Sequence, residues 1–189
     1  MSKSNLIPPP LQVAQWFNTK LPLSLEGARG KVVVIHAFQM LCPGCVAEGL
    51  PQVKRLRQAF AGRGLEVWGL HTVFEHHQAM SPHALQAFMH EYRVDFPVAV
   101  DQPSASGHVP MTMAAWGLRG TPSLILIDRQ GQMRMNHFGH LDDMRLGAAV
   151  EALLAESAPQ PAEVQESAAS APMAEHQAVC TEAGCALPQ

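Results

Sequence analysis

The chain contains four cysteines, and two of them, Cys42 and Cys45, are separated by two residues in the stretch QMLCPGC. Cysteines at this spacing can bind a metal, close a structural disulfide, or exchange electrons with another thiol or disulfide. A zinc site of this type would need a second close pair of ligands, and the chain has no other CxxC. The spacing therefore favours redox chemistry, with metal binding as the alternative.

The sequence around Cys42 predicts a strand on one side and a helix on the other. The apolar, β-branched stretch GKVVVIHAF (30–38) predicts a buried strand, and apolar residues at helical spacing follow over 46–60. Cys42 would then lie where the positive end of a helix stabilises a thiolate, and Pro43 suits the first helical turn. Cys45, one turn later, would be placed to attack a mixed disulfide on Cys42. We therefore expect Cys42 to be the nucleophile and Cys45 the resolving cysteine.

The rest of the chain alternates between strand and helix patterns. This alternation predicts an α/β fold with a central sheet covered by helices on both faces. Pro51 lies inside the first helix and should kink it. The further predicted elements are strands over 65–73 and 96–101, helices over 81–92, 109–117 and 142–155, and a hairpin formed by 123–128 and 133–139.

Composition restricts the class of protein. Hydrophobic residues make up 47% and charged residues 15%, which is typical of a globular domain, and the net charge of −3 does not favour nucleic acid or an anionic membrane as a partner. The N-terminus lacks the pattern of a secretory signal and no stretch is long enough to span a membrane, so we expect a cytoplasmic protein. From residue 156 the sequence is rich in Ala, Pro, Ser, Glu and Gln, which predicts a domain over 1–155 and a disordered tail over 156–189.

Two longer stretches resemble a known family. LSLEGARGKVVVIHAFQMLCPGC and WGLRGTPSLILIDRQGQM are similar to the two halves of thioredoxin-fold proteins. The resemblance is to the TlpA/ResA-type thiol–disulfide oxidoreductases and the wider redoxin (AhpC/TSA) group, and it covers roughly residues 16–154. It implies a thioredoxin-like fold with a central mixed sheet, disulfides and thiols of proteins or small molecules as partners, and no organic cofactor.

The resemblance also implies roles for individual residues. In the family, the proline matching Pro122 is cis and lies against the cysteine pair, and Thr121 then offers its backbone to an extended substrate. The buried acid of thioredoxins, six residues before the first cysteine, is replaced by His36. His36 is either a proton relay for Cys45 or a core histidine satisfied by a backbone carbonyl. Two further departures are Leu41, where the family often has Trp, and Pro51, which falls one residue later than usual.

The principal alternative activity is peroxide reduction. Peroxiredoxins resemble this fold but use the pattern P-x-x-x-T/S-x-x-C, whose hydroxyl and a nearby arginine hold the peroxide. Here Gln39 stands three residues before Cys42 and Ile35 seven before it, so the pattern is absent. Arg119 could still act as a substitute cation, although such an arginine is more often a solvated loop residue.

Two further groups of residues have open interpretations. His71, Glu75, His76 and His77 fall in HTVFEHH, which we interpret as a polar loop rather than a metal site or proton shuttle. Near the C-terminus, CTEAGC holds Cys180 and Cys185. This pair is either idle, a metal-binding tail together with His176, or a dithiol that exchanges with the Cys42–Cys45 disulfide.

Overall fold

The computed structural model describes residues 6–156 and the backbone of two short strands near the C-terminus. A six-stranded mixed sheet has the order β1-β4-β3-β2-β5-β6. Strands β2, β3 and β4 are parallel, and β1, β5 and β6 run antiparallel to their neighbours. The strands are β1 (Val13–Phe17), β2 (Val32–Phe38), β3 (Leu65–His71), β4 (Val98–Asp101), β5 (Ser123–Ile127) and β6 (Met133–Phe138).

Helices cover both faces of this sheet, as the strand and helix alternation predicted. One face packs against α1, α2 and α4, and the other against α3 and the chain segment around Leu25 and Ala28. Ser81 caps α2 by accepting a hydrogen bond from the backbone N–H of Ala84, which confirms the predicted cap. The helices are α1 (Leu50–Ala59), α2 (Pro82–Glu91), α3 (Met111–Ala115) and α4 (Asp143–Ala155). The predicted fold class is confirmed.

Strand β1 was missed by the sequence analysis. Its residues are exposed or only half-buried, and it forms hydrogen bonds with β4 alone, along the edge of the sheet. A register shift between Val13 and Gln15 further disturbs the pairing. The segment therefore has neither the continuous apolar run of a buried strand nor a regular alternation, and its strand conformation depends on a partner more than eighty residues away.

The C-terminal segment is a separate unit. The chain divides into Met1–Pro159 and Gln160–Gln189. In the second unit, β7 (Cys180–Thr181) pairs antiparallel with β8 (Gly184–Cys185), so that Cys180 is opposite Cys185 in the register. The predicted disordered tail otherwise lies outside the described residues. Among the described helices, none is long and apolar enough to cross a membrane.

A buried carboxylate fixes the end of β4 to the start of α3. Asp101 accepts hydrogen bonds from the backbone N–H groups of Thr112 (2.8 Å) and Met113 (3.0 Å) and from the Thr72 hydroxyl (2.9 Å). Burial raises the pKa of Asp101, and the hydrogen bonds from Thr112, Met113 and Thr72 oppose that shift. Removing the carboxylate would leave three donors without this acceptor in a dry environment.

We predict that Asp101→Ala lowers the free energy of unfolding by about 3 kcal/mol or more, because buried donors lose their acceptor. The matched control is Asp142→Ala. Asp142 is exposed and also accepts two backbone N–H groups, from Met144 and Arg145, at the start of α4. Losing this exposed cap should cost about 1 kcal/mol. Urea denaturation measures both values, and equal losses would contradict the importance of burial at Asp101.

Candidate active site

Cys42 stands at the junction between β2 and the helical segment that leads into α1. Its backbone carbonyl accepts the N–H of Val46 at 3.1 Å, which makes Cys42 the residue that caps the first helical turn. Its Sγ is 3.3 Å from the backbone N of Cys45, which donates to it. Cys42 is half-buried, so a partner can reach the sulfur. The sulfur thus occupies the position where a helix N-terminus stabilises negative charge.

Cys45 differs from Cys42 in exposure. Its side chain is 1% exposed, and it forms a disulfide with Cys42 across a Cα–Cα distance of 5.2 Å. Because Cys45 is shielded, an external disulfide or thiol can approach only the Cys42 side of the pair. The two sulfurs therefore differ in their access to a partner molecule.

The loop that precedes β5 lies against the cysteine pair. The Thr121–Pro122 peptide bond is cis, and the Thr121 carbonyl oxygen is 3.5 Å from Cys42 Sγ. The Pro122 ring packs on Gly44, where an added Cβ would lie 3.6 Å from Pro122 Cδ. The Pro122 carbonyl accepts the N–H of Gly139 at 2.8 Å, so the end of β6 holds this loop in place.

The helix that follows Cys45 begins with an irregular turn. Residues Cys45–Gly49 form a π-helical turn, in which the N–H of Leu50 donates to the Cys45 carbonyl. Pro51 comes directly after this turn and has no N–H to donate to an earlier carbonyl. A π-turn accommodates one extra residue in a helix. The sequence predicted a kink at Pro51, and the irregularity that the structure shows is this π-helical turn just before it.

His36 lies on β2 directly behind this turn. Its side chain is fully buried, and a Cβ added to Gly49 would lie 2.5 Å from His36 Cε1, so only glycine leaves room for the ring. Among the described residues, neither ring nitrogen has a hydrogen-bond partner of normal geometry. Burial lowers the pKa of His36 to about 4, although the nearby backbone carbonyl of Cys45 opposes this shift. The ring is therefore neutral at neutral pH.

The histidine-rich segment does not form a single polar loop. His71 is the last residue of β3 and is 1% exposed, whereas His76 and His77 are exposed, so the loop interpretation was wrong for His71. His71 is buried because it pairs with Phe38 in the sheet, and its ring is 5.3 Å from the Phe38 ring. Burial lowers the pKa of His71 to about 4. Within the described part of the chain, no group of three or more His, Cys, Asp or Glu residues is placed to bind a metal.

Gln39 is a structural component of the site that the sequence did not reveal. It is 1% exposed, and its carbonyl accepts the N–H of Cys42 at 3.2 Å. Its side chain accepts the N–H of Phe74 and donates to the Glu75 carboxylate, both at 3.2 Å. Gln39 thus ties the Cys42 loop to the segment after β3. In the sequence, Gln39 indicated only that the hydroxyl of the peroxiredoxin pattern is missing. The sequence did not predict this bridging role.

Comparison with known proteins agrees with this geometry. The sequence model of the Redoxin family matches residues 18–150, which include the cysteine pair, His36 and the cis-proline loop. This chain belongs to the redoxin family. The predicted resemblance to the TlpA/ResA-type redoxins is confirmed.

Two further proteins are similar to this chain in sequence. A thiol–disulfide oxidoreductase ResA from Halalkalibacterium halodurans is 24% identical over 136 residues, which are 71% of this chain and 69% of that protein. Protein DipZ from Mycobacterium tuberculosis is 30% identical over 149 residues, or 78% of this chain. The match spans only 20% of the length of DipZ.

Solved structures are also similar. A crystal structure of a thioredoxin-like superfamily protein is 56% identical, with a TM-score of 0.78, and the match covers 80% of this chain and 98% of that one. A thiol-disulfide isomerase from Corynebacterium glutamicum is 47% identical, with a TM-score of 0.76 and coverage of 79% and 97%. The thioredoxin-like fold with helices on both sides of a mixed sheet follows from these similarities.

The buried histidine predicts how stability depends on pH. Because the pKa of His36 falls from 6.5 to about 4 on folding, the unfolded chain binds a proton that the folded protein does not bind between these values. The stability that depends on a neutral His36 is therefore fully present above the pKa of this group in the unfolded chain. It is lost as the pH falls toward the pKa of His36 in the folded protein. We predict that His36→Leu reduces the slope of unfolding free energy against pH in this window by about 1.4 kcal/mol per pH unit.

The control for this prediction is His90→Gln, which removes an imidazole whose side chain is 86% exposed. This variant should keep the slope of the unchanged protein. Urea denaturation at several pH values between about 4.5 and about 6.5 gives the slope for the unchanged protein and for each of the two variants. An unchanged slope in His36→Leu would show that His36 is not protected from protonation by burial.

Proposed function

We propose that the protein reduces or exchanges disulfides of partner molecules through its CPGC sequence, with Cys42 as the nucleophile and Cys45 as the resolving cysteine. The observation that best supports this proposal is the asymmetry of the pair. Cys42 Sγ is half-buried and receives the Cys45 N–H at 3.3 Å, whereas Cys45 is 1% exposed. Only one of the two sulfurs is both accessible and placed at a helix N-terminus.

The reaction proceeds in two exchange steps. The Cys42 thiolate attacks one sulfur of the partner disulfide, so a mixed disulfide forms and the other partner sulfur leaves as a thiolate, which takes a proton. Cys45 then loses its proton and attacks Cys42 Sγ. The Cys42–Cys45 disulfide forms, and the second partner sulfur leaves as a thiolate. The partner has gained two electrons, and its two thiolates take up the proton released by Cys45 and one proton from solvent; the reverse sequence oxidises a partner dithiol.

Two other elements of the site support these steps. Thr121 and Pro122 form one wall beside Cys42, and we propose that the Thr121 backbone aligns the partner segment next to the sulfur. His36 is neutral and lies beside the backbone of Cys45, so we propose that it accepts the proton that Cys45 loses.

Peroxide reduction has no specific observation in its favour. The Gln39 amide, at the position of the peroxidase hydroxyl, is engaged by Phe74 and Glu75. Metal binding by the cysteines and exchange between Cys42 and Cys180 or Cys185 stay predictions, and the side chains of the latter pair lie outside the described residues. The cytoplasmic location also stays a prediction.

We predict that Cys45→Ser accumulates mixed disulfides through Cys42, because the first exchange step remains and the second cannot occur. The variant, once reduced, is mixed with an excess of a disulfide-containing protein such as insulin. Non-reducing electrophoresis and peptide mass mapping then identify the linked cysteine.

The matched control is Cys42→Ser, which keeps only Cys45 of the CPGC pair, and peptide mapping separates any linkage through Cys180 or Cys185. Because Cys45 is shielded, this variant should trap little or no partner. Equal trapping by both variants, or efficient trapping by Cys42→Ser alone, would contradict the assignment of the two roles.

A further inference from the structure

An exposed cation stands beside the site without a role in the exchange chemistry. The Arg119 guanidinium carbon lies 5.5 Å from the centre of the Phe138 ring and over its face. Phe138 in turn packs on Gly120, where an added Cβ would lie 2.7 Å from Phe138 Cε2. Glycine at this position is what allows the ring to lie against the backbone. We call the stacked pair the Arg119–Phe138 ledge.

The ledge is fixed to the cysteine site by hydrogen bonds. The Ser123 hydroxyl donates to the Gly120 carbonyl at 2.7 Å, and the Asn136 side chain donates to the Trp116 carbonyl at 3.0 Å. These bonds join the loop to β5 and β6. Arg119 lies two residues before Thr121 in the chain. The carbonyl oxygen of Thr121 is 3.5 Å from Cys42 Sγ. A partner segment that reaches Cys42 along this loop therefore passes the ledge.

No carboxylate among residues 6–156 neutralises the charge of Arg119. Arg119 is exposed, and among the described residues no carboxylate forms an ion pair with it. Glu48, three residues after Cys45, and Glu75, in the segment after β3, face His140 and Gln39 instead. Stacking on an aromatic ring pre-orients a guanidinium, whose fork of N–H groups matches a carboxylate.

Exposed apolar side chains lie against this cation and next to Cys42 in the chain. Phe138 is 43% exposed, and Leu41, next to Cys42 in the chain, is 57% exposed. A partner that covers this surface gains apolar burial at Leu41 and Phe138 together with an ion pair at Arg119. Such a combination fits a polypeptide better than a small, fully polar disulfide.

We propose that the Arg119–Phe138 ledge selects polypeptide disulfides that carry an Asp or Glu close to the cysteine attacked by Cys42. This inference rests on the proposed function, because it concerns the partner of the same exchange reaction. The selection is local: the net charge of −3 on the whole chain would otherwise disfavour acidic partners. Arg119 acts by orienting the partner, and the bonds made and broken are those of the two exchange steps.

The test compares two peptides that differ only in charge. Each peptide has one cysteine, which is joined by a disulfide to mercaptoethanol. The residues two positions before and two positions after this cysteine are Glu in one peptide and Gln in the other. The second-order rate constant for reduction by the reduced protein is measured for each. We expect the Glu peptide to react about fivefold faster than the Gln peptide, which corresponds to the upper end of the contribution of an exposed ion pair. This preference should vanish at about 1 M salt, where the charges are screened.

Variants identify the residue responsible. Arg119→Gln should bring the ratio of the two rate constants to about one by slowing only the Glu peptide. Arg119→Glu should favour a third peptide with Lys at the same positions. The matched control is Arg145→Gln. Arg145 is also exposed but lies on α4, so this variant should keep the original ratio.

The outcomes separate the two proposals. If the unchanged protein reduces neither peptide, the proposed disulfide exchange itself fails. If it reduces both at equal rates, or if Arg119→Gln keeps the preference for Glu, exchange stands and selection by the ledge is wrong. A loss of preference in Arg145→Gln equal to that in Arg119→Gln would also overturn it, because the effect would then reflect overall charge.

Discussion

The interaction on which the site depends is the one between Cys42 Sγ and the first turn of the helical segment. The sulfur accepts the Cys45 N–H at 3.3 Å, and the Cys42 carbonyl accepts the Val46 N–H at 3.1 Å. Both contacts exist because a helical segment begins shortly after the end of β2 at Phe38. A negative sulfur in this position faces unpaired N–H groups, which stabilises the thiolate that thiol–disulfide exchange requires.

The remaining parts of the site support this sulfur from behind and from the side. Gln39 holds the loop before it, and the cis-proline loop lies beside it. Behind it, the π-helical turn accommodates the extra residue before Pro51 and presents Gly49 to the His36 ring. The buried imidazole carries no charge at neutral pH, because burial lowers its pKa to about 4. The glycine and the histidine are thus mutually dependent.

Local sequence patterns predicted the elements whose stability is largely local. The continuous apolar run of β2, the Ser81 cap of α2 and the turn between β5 and β6 each have a signal within a few residues, and each lies close to its predicted place. The Cys42–Cys45 pair was evident for the same reason, because its chemistry depends on spacing alone.

Features that depend on distant partners were not predictable in this way. Strand β1 is a strand because it pairs with β4, and His71 is buried because β3 lies beside β2. The three donors that meet at Asp101 come from two separate segments. The π-helical turn is an intermediate case: Pro51 indicated an irregular helix, but its form became evident only from the Leu50 to Cys45 hydrogen bond.

The central claim, that Cys42 is the reactive sulfur of the pair, is tested most directly by alkylation of the fully reduced protein. A brief pulse of iodoacetamide at neutral pH, followed by proteolysis and mass spectrometry, gives the separate labelling rates of Cys42 and Cys45. Cys42 is accessible, and the helix N-terminus stabilises its thiolate. We therefore expect it to react at least about tenfold faster than the shielded Cys45. Equal rates, or faster labelling of Cys45, would contradict the account.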